Sequence, residues 1–215
     1  MTERESDQQG GRGESEHGPG QRPVPIPIDS PIWKSFFTVA PLVLVGTIEA
    51  DGHDLAPKHM AMPLGWSNYF CFACSPRHAT QRNAQDTGVF TVSFPRPEQI
   101  VETSMAAAPR EAEGDKPSLE AVPTFPATAV EGVLVRDAYL WLECRLDRVV
   151  DGFGANTLII GEVVAAAVDE RSMRVSEGDD ADLIAASPML AYLAPGRFAR
   201  ISQTYSFPYH TNFRL

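Results

Sequence analysis

The residues best suited to chemistry lie in two short stretches. In Ser75-Pro76-Arg77-His78-Ala79-Thr80-Gln81-Arg82, a Ser-Pro turn leads into a helix with basic side chains and a hydroxyl in or beside its first turn. The amino end of a helix carries unbonded N–H groups and the positive end of the dipole, so acidic residues are favoured there. Arg77 and His78 at that end cost stability unless an anion sits between them. Free amides, a guanidinium and the Thr80 hydroxyl would together form a phosphate site. A solvated cluster of surface charge is the alternative. The second stretch, Leu55-Ala56-Pro57-Lys58-His59-Met60-Ala61-Met62-Pro63, follows a turn and should be a strand, yet two prolines remove ladder donors. It therefore belongs at a sheet edge or in an irregular run, with backbone groups open to a ligand. Prolines guarding an edge against aggregation would leave the same pattern. Lys58 and His59 are adjacent, so in an extended chain at most one of them faces a given pocket.

Other reactive residues point to no metal. Cys71 and Cys74 have the spacing of a metal or redox motif, but in a strand a separation of three puts the sulfurs on opposite faces. No second pair completes a zinc site. His53, His59 and His78 match no helical ligand motif, and His53 reads as an exposed turn residue. Three cysteines, with Cys144, are too few for a disulfide framework, and a reducing cytoplasm is the expected compartment.

Strands dominate the elements that must position these residues. Leu42-Val43-Leu44-Val45 is apolar on both faces, as in a central strand, and Ala50 to His53 turns the chain. Phe90, Val92 and Phe94 alternate with Thr91 and Ser93. Leu140, Leu142, Cys144 and Leu146 face one way, with Glu143, Arg145 and Asp147 facing the other. A turn at Asp151 to Asn156 returns the chain into Leu158 to Val164, making a long antiparallel hairpin. Helices are expected over His78 to Thr87, ended by Gly88, over Glu98 to Ala107, and around Asp180 to Tyr192 with a break at Pro188. From Pro109 to Pro126 the chain is Pro-rich and polar, a loop suited to covering something rather than to building the core. Residues 1–24 contain no aromatic side chain and read as a disordered tail, leaving 25–215 as one domain.

The chain has 215 residues, 43% of them hydrophobic, enough for a sizeable core. With 18 basic and 28 acidic side chains the net charge is -10, which argues against nucleic acid or an acidic membrane surface as partner. Phe36 to Gly46, an apolar run broken by Pro41, is too short to span a membrane. An acidic domain repels phosphate-bearing ligands unless cations gather where the phosphate docks, and Arg77, His78 and Arg82 are such a group.

Three motifs, in order, resemble the flavin reductase-like, FMN-binding split-barrel family: Asp54-Leu55-Ala56-Pro57, then Ser75 through Arg82-Asn83, then Thr87-Gly88-Val89-Phe90-Thr91-Val92. The family pattern is N-L-A-P-x-S, then S-x-x-R or K-D-T with R-N, then T-G-x-F-x-V. The likeness continues through Leu142 to Leu146 and Ile160 to Val164 to Gly196-Arg197-Phe198. It implies a mainly β fold, a six-stranded Greek-key split β-barrel with short peripheral helices. It also implies a homodimer with FMN near the subunit interface. Ala56, Pro57, Lys58, His59 and Met60 would line the isoalloxazine ring, and Ser75, Arg77, His78 and Thr80 would hold the phosphate.

The implied activity is an FMN-dependent NAD(P)H oxidoreductase, passing hydride from nicotinamide to flavin and on to a small-molecule acceptor or partner oxygenase. That transfer needs no catalytic side chain, which leaves His59 as a candidate modulator. A non-catalytic FMN- or ligand-binding module on the same barrel is the alternative. A pyridoxal-phosphate-producing oxidase shares the architecture but fits the motif order less well. Three positions depart from the pattern: Asp54 replaces Asn, His59 replaces Ser or Thr, and His78 replaces the frequent Lys. The last leaves the phosphate charge mainly to Arg77.

Overall fold

A two-residue link decides the shape of the main sheet. The computed structural model describes residues 22–111, 114–175 and 180–208, so all but the end of the expected tail lies outside the described residues. The strands are β1 (Thr38–Pro41), β2 (Val43–Glu49), β3 (Gly52–Lys58), β4 (Ala61–Pro63), β5 (Tyr69–Cys74), β6 (Val89–Phe94), β7 (Thr124–Pro126), β8 (Val133–Val135), β9 (Leu140–Phe153), β10 (Asn156–Val168), β11 (Met189–Ala194) and β12 (Arg197–Ile201). Seven of them form an antiparallel sheet in the order β3-β2-β6-β9-β10-β5-β4. The stretch expected at one edge thus supplies both edges, β3 at one end and β4 at the other.

Only His59 and Met60 separate those edge strands. Three residue steps reach at most about 11 Å, whereas seven strands laid flat would put their edges about 29 Å apart. The sheet has to curl until its edges approach. The result is a half-barrel of seven strands, where six were expected, because the segment broken at His59 and Met60 crosses the opening as β3 and β4.

The curl encloses one core and leaves a second outside it. Val43, Val45, Phe70, Phe72, Cys74, Phe90, Val92, Cys144 and Ile159 pack within it. Phe72 and Phe90 meet edge to face at 5.3 Å. On the other side of β2, Leu44 joins Leu55, Ala106, Val122 and Val135. Val43–Val45 is therefore buried on both faces, as its unbroken apolar run requires. Gly161 on β10 makes room for Phe90: a Cβ there would lie 2.5 Å from the ring and 3.0 Å from the Arg145 carbonyl.

The helices are α1 (Ala79–Thr87), α2 (Ile100–Met105) and α3 (Ala181–Ala186). Gly88 ends α1 in the left-handed conformation, at φ 72. A 3-10 turn at Pro97–Gln99 precedes α2. The helix expected to reach Tyr192 stops at Ala186, because Pro188 cannot continue it. Met189–Ala194 is instead β11, paired with β1 and β12. The Pro109–Pro126 stretch also departs from expectation. It contains a 3-10 turn at Pro117–Ala121 and strand β7, and Val122 is buried in the second core.

Glu143 lies on the face opposite Cys144, as expected, but is buried rather than exposed. Its carboxylate accepts hydrogen bonds from the backbone N–H groups of Thr128, Ala129 and Val130 and from the Thr128 hydroxyl. Burial pushes its pKa up, but these donors outweigh that and hold it below the usual value. Alternation identified the face correctly but could not reveal a loop that supplies donors to it.

The fit of Gly161 to Phe90 is testable. Gly161→Ala should lower unfolding stability by about 1–3 kcal/mol through overpacking, seen as a lower urea midpoint at unchanged slope. An unchanged midpoint would show that the close approach carries no weight.

Candidate functional site

The edge strand β3 and the start of α1 face one cleft of about 470 Å3, within the range of small-molecule sites. Its lining includes Ala56, Pro57 and Lys58 from β3, and Arg77, His78 and Thr80 from the turn and α1. Two stretches 20 residues apart in sequence thus meet. No side chain caps α1 and its first turn holds no acidic residue, so its amino end keeps its positive character on this side. Arg82 donates to the Arg77 carbonyl at 2.9 Å, and the Arg77 N–H lies 3.4 Å from Ser75 Oγ, which shapes the turn. Thr80 is buried, while Arg77 and His78 are exposed.

The third wall was not foreseen. Ala106 to Arg110 and Lys116, from the segment after α2, complete the cleft. Lys116 Nζ donates to Asp54 Oδ1 at 3.1 Å and to the Leu55 carbonyl at 2.7 Å. Arg110 reaches Asp54 at 3.3 Å and Glu49 at 2.6 Å. Glu49 also accepts from Asn83 on α1 at 3.0 Å. Asp54, where the family pattern has Asn, therefore serves as the buried anchor for two cations. The outward carbonyl of Leu55 also explains Pro57: two residues along an edge strand, its missing donor falls on the same outer side.

A second cleft, of about 450 Å3, adjoins the first through Pro57 and Ala107. It is more apolar, with Leu42, Ile100 and Phe198 in its walls. His59 enters this cleft rather than the first, as the opposite orientations of Lys58 and His59 require. Its ring lies against Tyr192, centroids 4.6 Å apart. Burial, helped by the Lys58 ammonium, holds His59 below its ordinary pKa of 6.5. The same two causes, in the same order, lower His78, against the opposing pull of Asp54. Thr103 also lines the second cleft; its buried Oγ1 has no hydrogen-bond partner among the described residues.

Met60 and Ser75 line neither cleft. Met60 is exposed, with its carbonyl accepting from the Ala73 N–H at 2.8 Å. His53 is half-buried in β3 rather than exposed in a turn, with its Nε2 enclosed. Cys71, Cys74 and Cys144 are buried free thiols. Among the described residues no group of three or more His, Cys, Asp or Glu could hold a metal ion, and no helix is long and apolar enough to cross a membrane.

The residues that sequence reading missed are Arg110 and Lys116 in the first cleft and Tyr192 and Phe198 in the second. Arg110 and Lys116 carried a weak signal, two cations in a Pro-rich loop suited to covering something. Tyr192 carried none, because it was assigned to a helix.

Known structures share this architecture. Flavoredoxin from Methanosarcina acetivorans superposes with a TM-score of 0.72 at 18% identity, covering 89% of this chain and 97% of its own. An FMN-binding protein from Thermus thermophilus, with 1-cyclohex-2-enone bound, gives 0.70 at 19%, covering 86% and 99%. Nitrilotriacetate monooxygenase component B from Bacillus cereus gives 0.68 at 19%, covering 79% and 88%. At these identities the likeness is one of fold. The sequence matches no curated protein. Residues 37–193 match the model of the flavin reductase like domain, and the chain belongs to that family.

Proposed function

We propose that this chain is an FMN-dependent NAD(P)H oxidoreductase of the flavin reductase type. The observation that carries the reading is the pair of adjoining clefts, one cationic and one apolar, joined at Pro57 and Ala107. A ligand with an anionic tail and a flat apolar head matches that pair. The first cleft offers the tail the Arg77 guanidinium, the Lys58 ammonium, the Thr80 hydroxyl and the uncapped amino end of α1. The edge backbone of β3 and the His59–Tyr192 pair would flank the head.

When bound, the flavin accepts two electrons from NAD(P)H and passes them to an acceptor. The chain's own task is placement and electrostatics. Arg77 and Thr80 fix the phosphate, and the clamp of Asp54 by Lys116 and Arg110 holds the third wall in place. His59, kept neutral by burial, would present an uncharged ring rather than an imidazolium. Pro57 has no N–H to offer on the outer edge, which leaves carbonyls there as acceptors.

A homodimer and a partner oxygenase belong to the same proposal. Met62 and Trp66, on and after the edge strand β4, are exposed, as are Trp33 and Phe37 ahead of β1. That much apolar surface suits a second copy. The monooxygenase component among the structural neighbours supports a reduced flavin delivered to an oxygenase.

Three measurements test the reading. The purified protein mixed with FMN should show a flavin spectrum shifted from that of free FMN, and anaerobic NADH or NADPH should bleach it. No spectral change with FMN would remove the flavin assignment, whereas bleaching by dithionite alone would favour a non-catalytic binding module. Arg77→Ala should weaken FMN binding about tenfold or more, as expected for a lost hydrogen bond to a charged group; an unchanged Kd would place the phosphate elsewhere. Because the pKa of His59 is lowered, its charge appears only on the acid side of 6.5. The rate of flavin reduction should therefore be flat at neutral pH and change below that value, and His59→Gln should remove the acid limb. A limb that survives the substitution would rule out His59 as its source.

A further inference from the structure

Beneath the first cleft, Lys58 makes a second contact, with a sulfur, that the proposed function leaves unexplained. Lys58, at the end of β3, is nine-tenths buried, and no carboxylate lies within ion-pair distance of it among the described residues. Its Nζ instead lies 3.4 Å from Sγ of Cys74, the last residue of β5. His78 Nδ1 lies 3.9 Å from the same sulfur. An amine, a thiol and an imidazole thus converge where β3, at one edge of the curled sheet, faces β5, next to the other edge. Cys74 itself is buried and does not line the cleft, but Lys58 and His78 lie between the two and His78 is exposed, so a small solute reaches the sulfur when the His78 side chain swings aside.

We propose that Cys74 and Lys58 form a reversible sulfur–nitrogen cross-link when the cleft meets a peroxide. His78 Nδ1 takes the thiol proton, and the Cys74 thiolate attacks one peroxide oxygen. The O–O bond breaks, sulfur is oxidised to the sulfenic acid, and the departing hydroxide recovers the proton from His78 as water. Lys58, its ammonium proton released through the cleft to solvent, then attacks the sulfur. The S–N bond forms as the S–O bond breaks, and the second hydroxide leaves with an amine proton as water. The product is a sulfenamide with two hydrogens fewer than the thiol and amine together. A thiol reductant reverses it.

The other two cysteines lack these partners. Burial pushes the Cys144 thiol up to about 12, with Glu143 adding to the effect, and burial also raises Cys71. The cross-link has two consequences. It removes the charge of Lys58 from the cleft, and it joins β3 to β5 across the opening of the half-barrel.

The full chain, reduced and then treated with hydrogen peroxide, provides the test. The expected product is lighter by two hydrogens, with the Lys58 and Cys74 peptides joined and trypsin no longer cutting after Lys58. Cys71 and Cys144 should remain thiols, and dithiothreitol should restore the starting mass. Tm should rise by several degrees in the oxidised form, as for other short covalent loops. Lys58→Arg should divert the reaction, so that Cys74 gains oxygen and no peptides are joined. Wild-type Cys74 that stays a thiol, or gains oxygen without joining Lys58, would overturn the proposal. These mass readouts need no flavin and so stand or fall separately from the proposed function. For the effect on the cleft the probe is FMN itself, whose affinity should drop severalfold on cross-linking and return on reduction. A cross-linked protein with unaltered FMN affinity would overturn the loss of charge as a switch.

Discussion

The two-residue link between β3 and β4 is the constraint on which the rest of the molecule depends. Because His59 and Met60 join opposite edges of one seven-stranded sheet, the sheet cannot lie open. Its curl creates the inner core around Phe72 and Phe90, and it brings the end of β3 near the end of β5. The same link directs two adjacent side chains to different places. Lys58, the last strand residue, turns into the cationic cleft, and His59, the first residue of the link, turns into the apolar one.

The outer edge of β3 would expose a row of unpaired backbone groups, which natural sheets usually protect. Here the protection and the site share residues. Pro57 removes one outward donor. Lys116 satisfies the Leu55 carbonyl and also binds Asp54, where Arg110 joins it and continues to Glu49 and then Asn83 on α1. The network ties β2, β3, α1 and the segment after α2 into one frame. Removing the Asp54 carboxylate would leave the buried Lys116 ammonium with only the Leu55 carbonyl, a larger cost than the value of any single bond. An edge capped by a cationic loop also leaves a positive cleft in an otherwise acidic chain.

The parts of this arrangement that follow from local rules were legible in the sequence. Burial of Val43–Val45 on both faces, the β9–β10 hairpin and the stop of α1 at Gly88 each rest on neighbouring residues and their geometry. So does the separation of Lys58 from His59, because alternation along a strand needs no partner. The features that escaped notice all depend on distant segments. Glu143 is buried because Thr128 to Val130 bring their amides to it. Tyr192 faces His59 because Met189–Ala194 pairs with β1 and β12, where helix had been expected beyond a break at Pro188. Val122 and Lys116 join the core and the cleft from a stretch whose composition suggested only a loop.

By itself the sequence determined the class of the fold, the basic start of α1, the edge character of the proline-bearing segment and, through the order of three short motifs, the family. Those depend on periodicity, prolines and spacing, which act within a few residues. Tertiary structure alone decided that the segment from Leu55 to Pro63 crosses from one sheet edge to the other, and that Arg110 and Lys116 converge on Asp54. It also set Lys58 against Cys74. Each of these is a meeting of residues that only the closure of the sheet brings within a few ångströms, and no local preference encodes that closure.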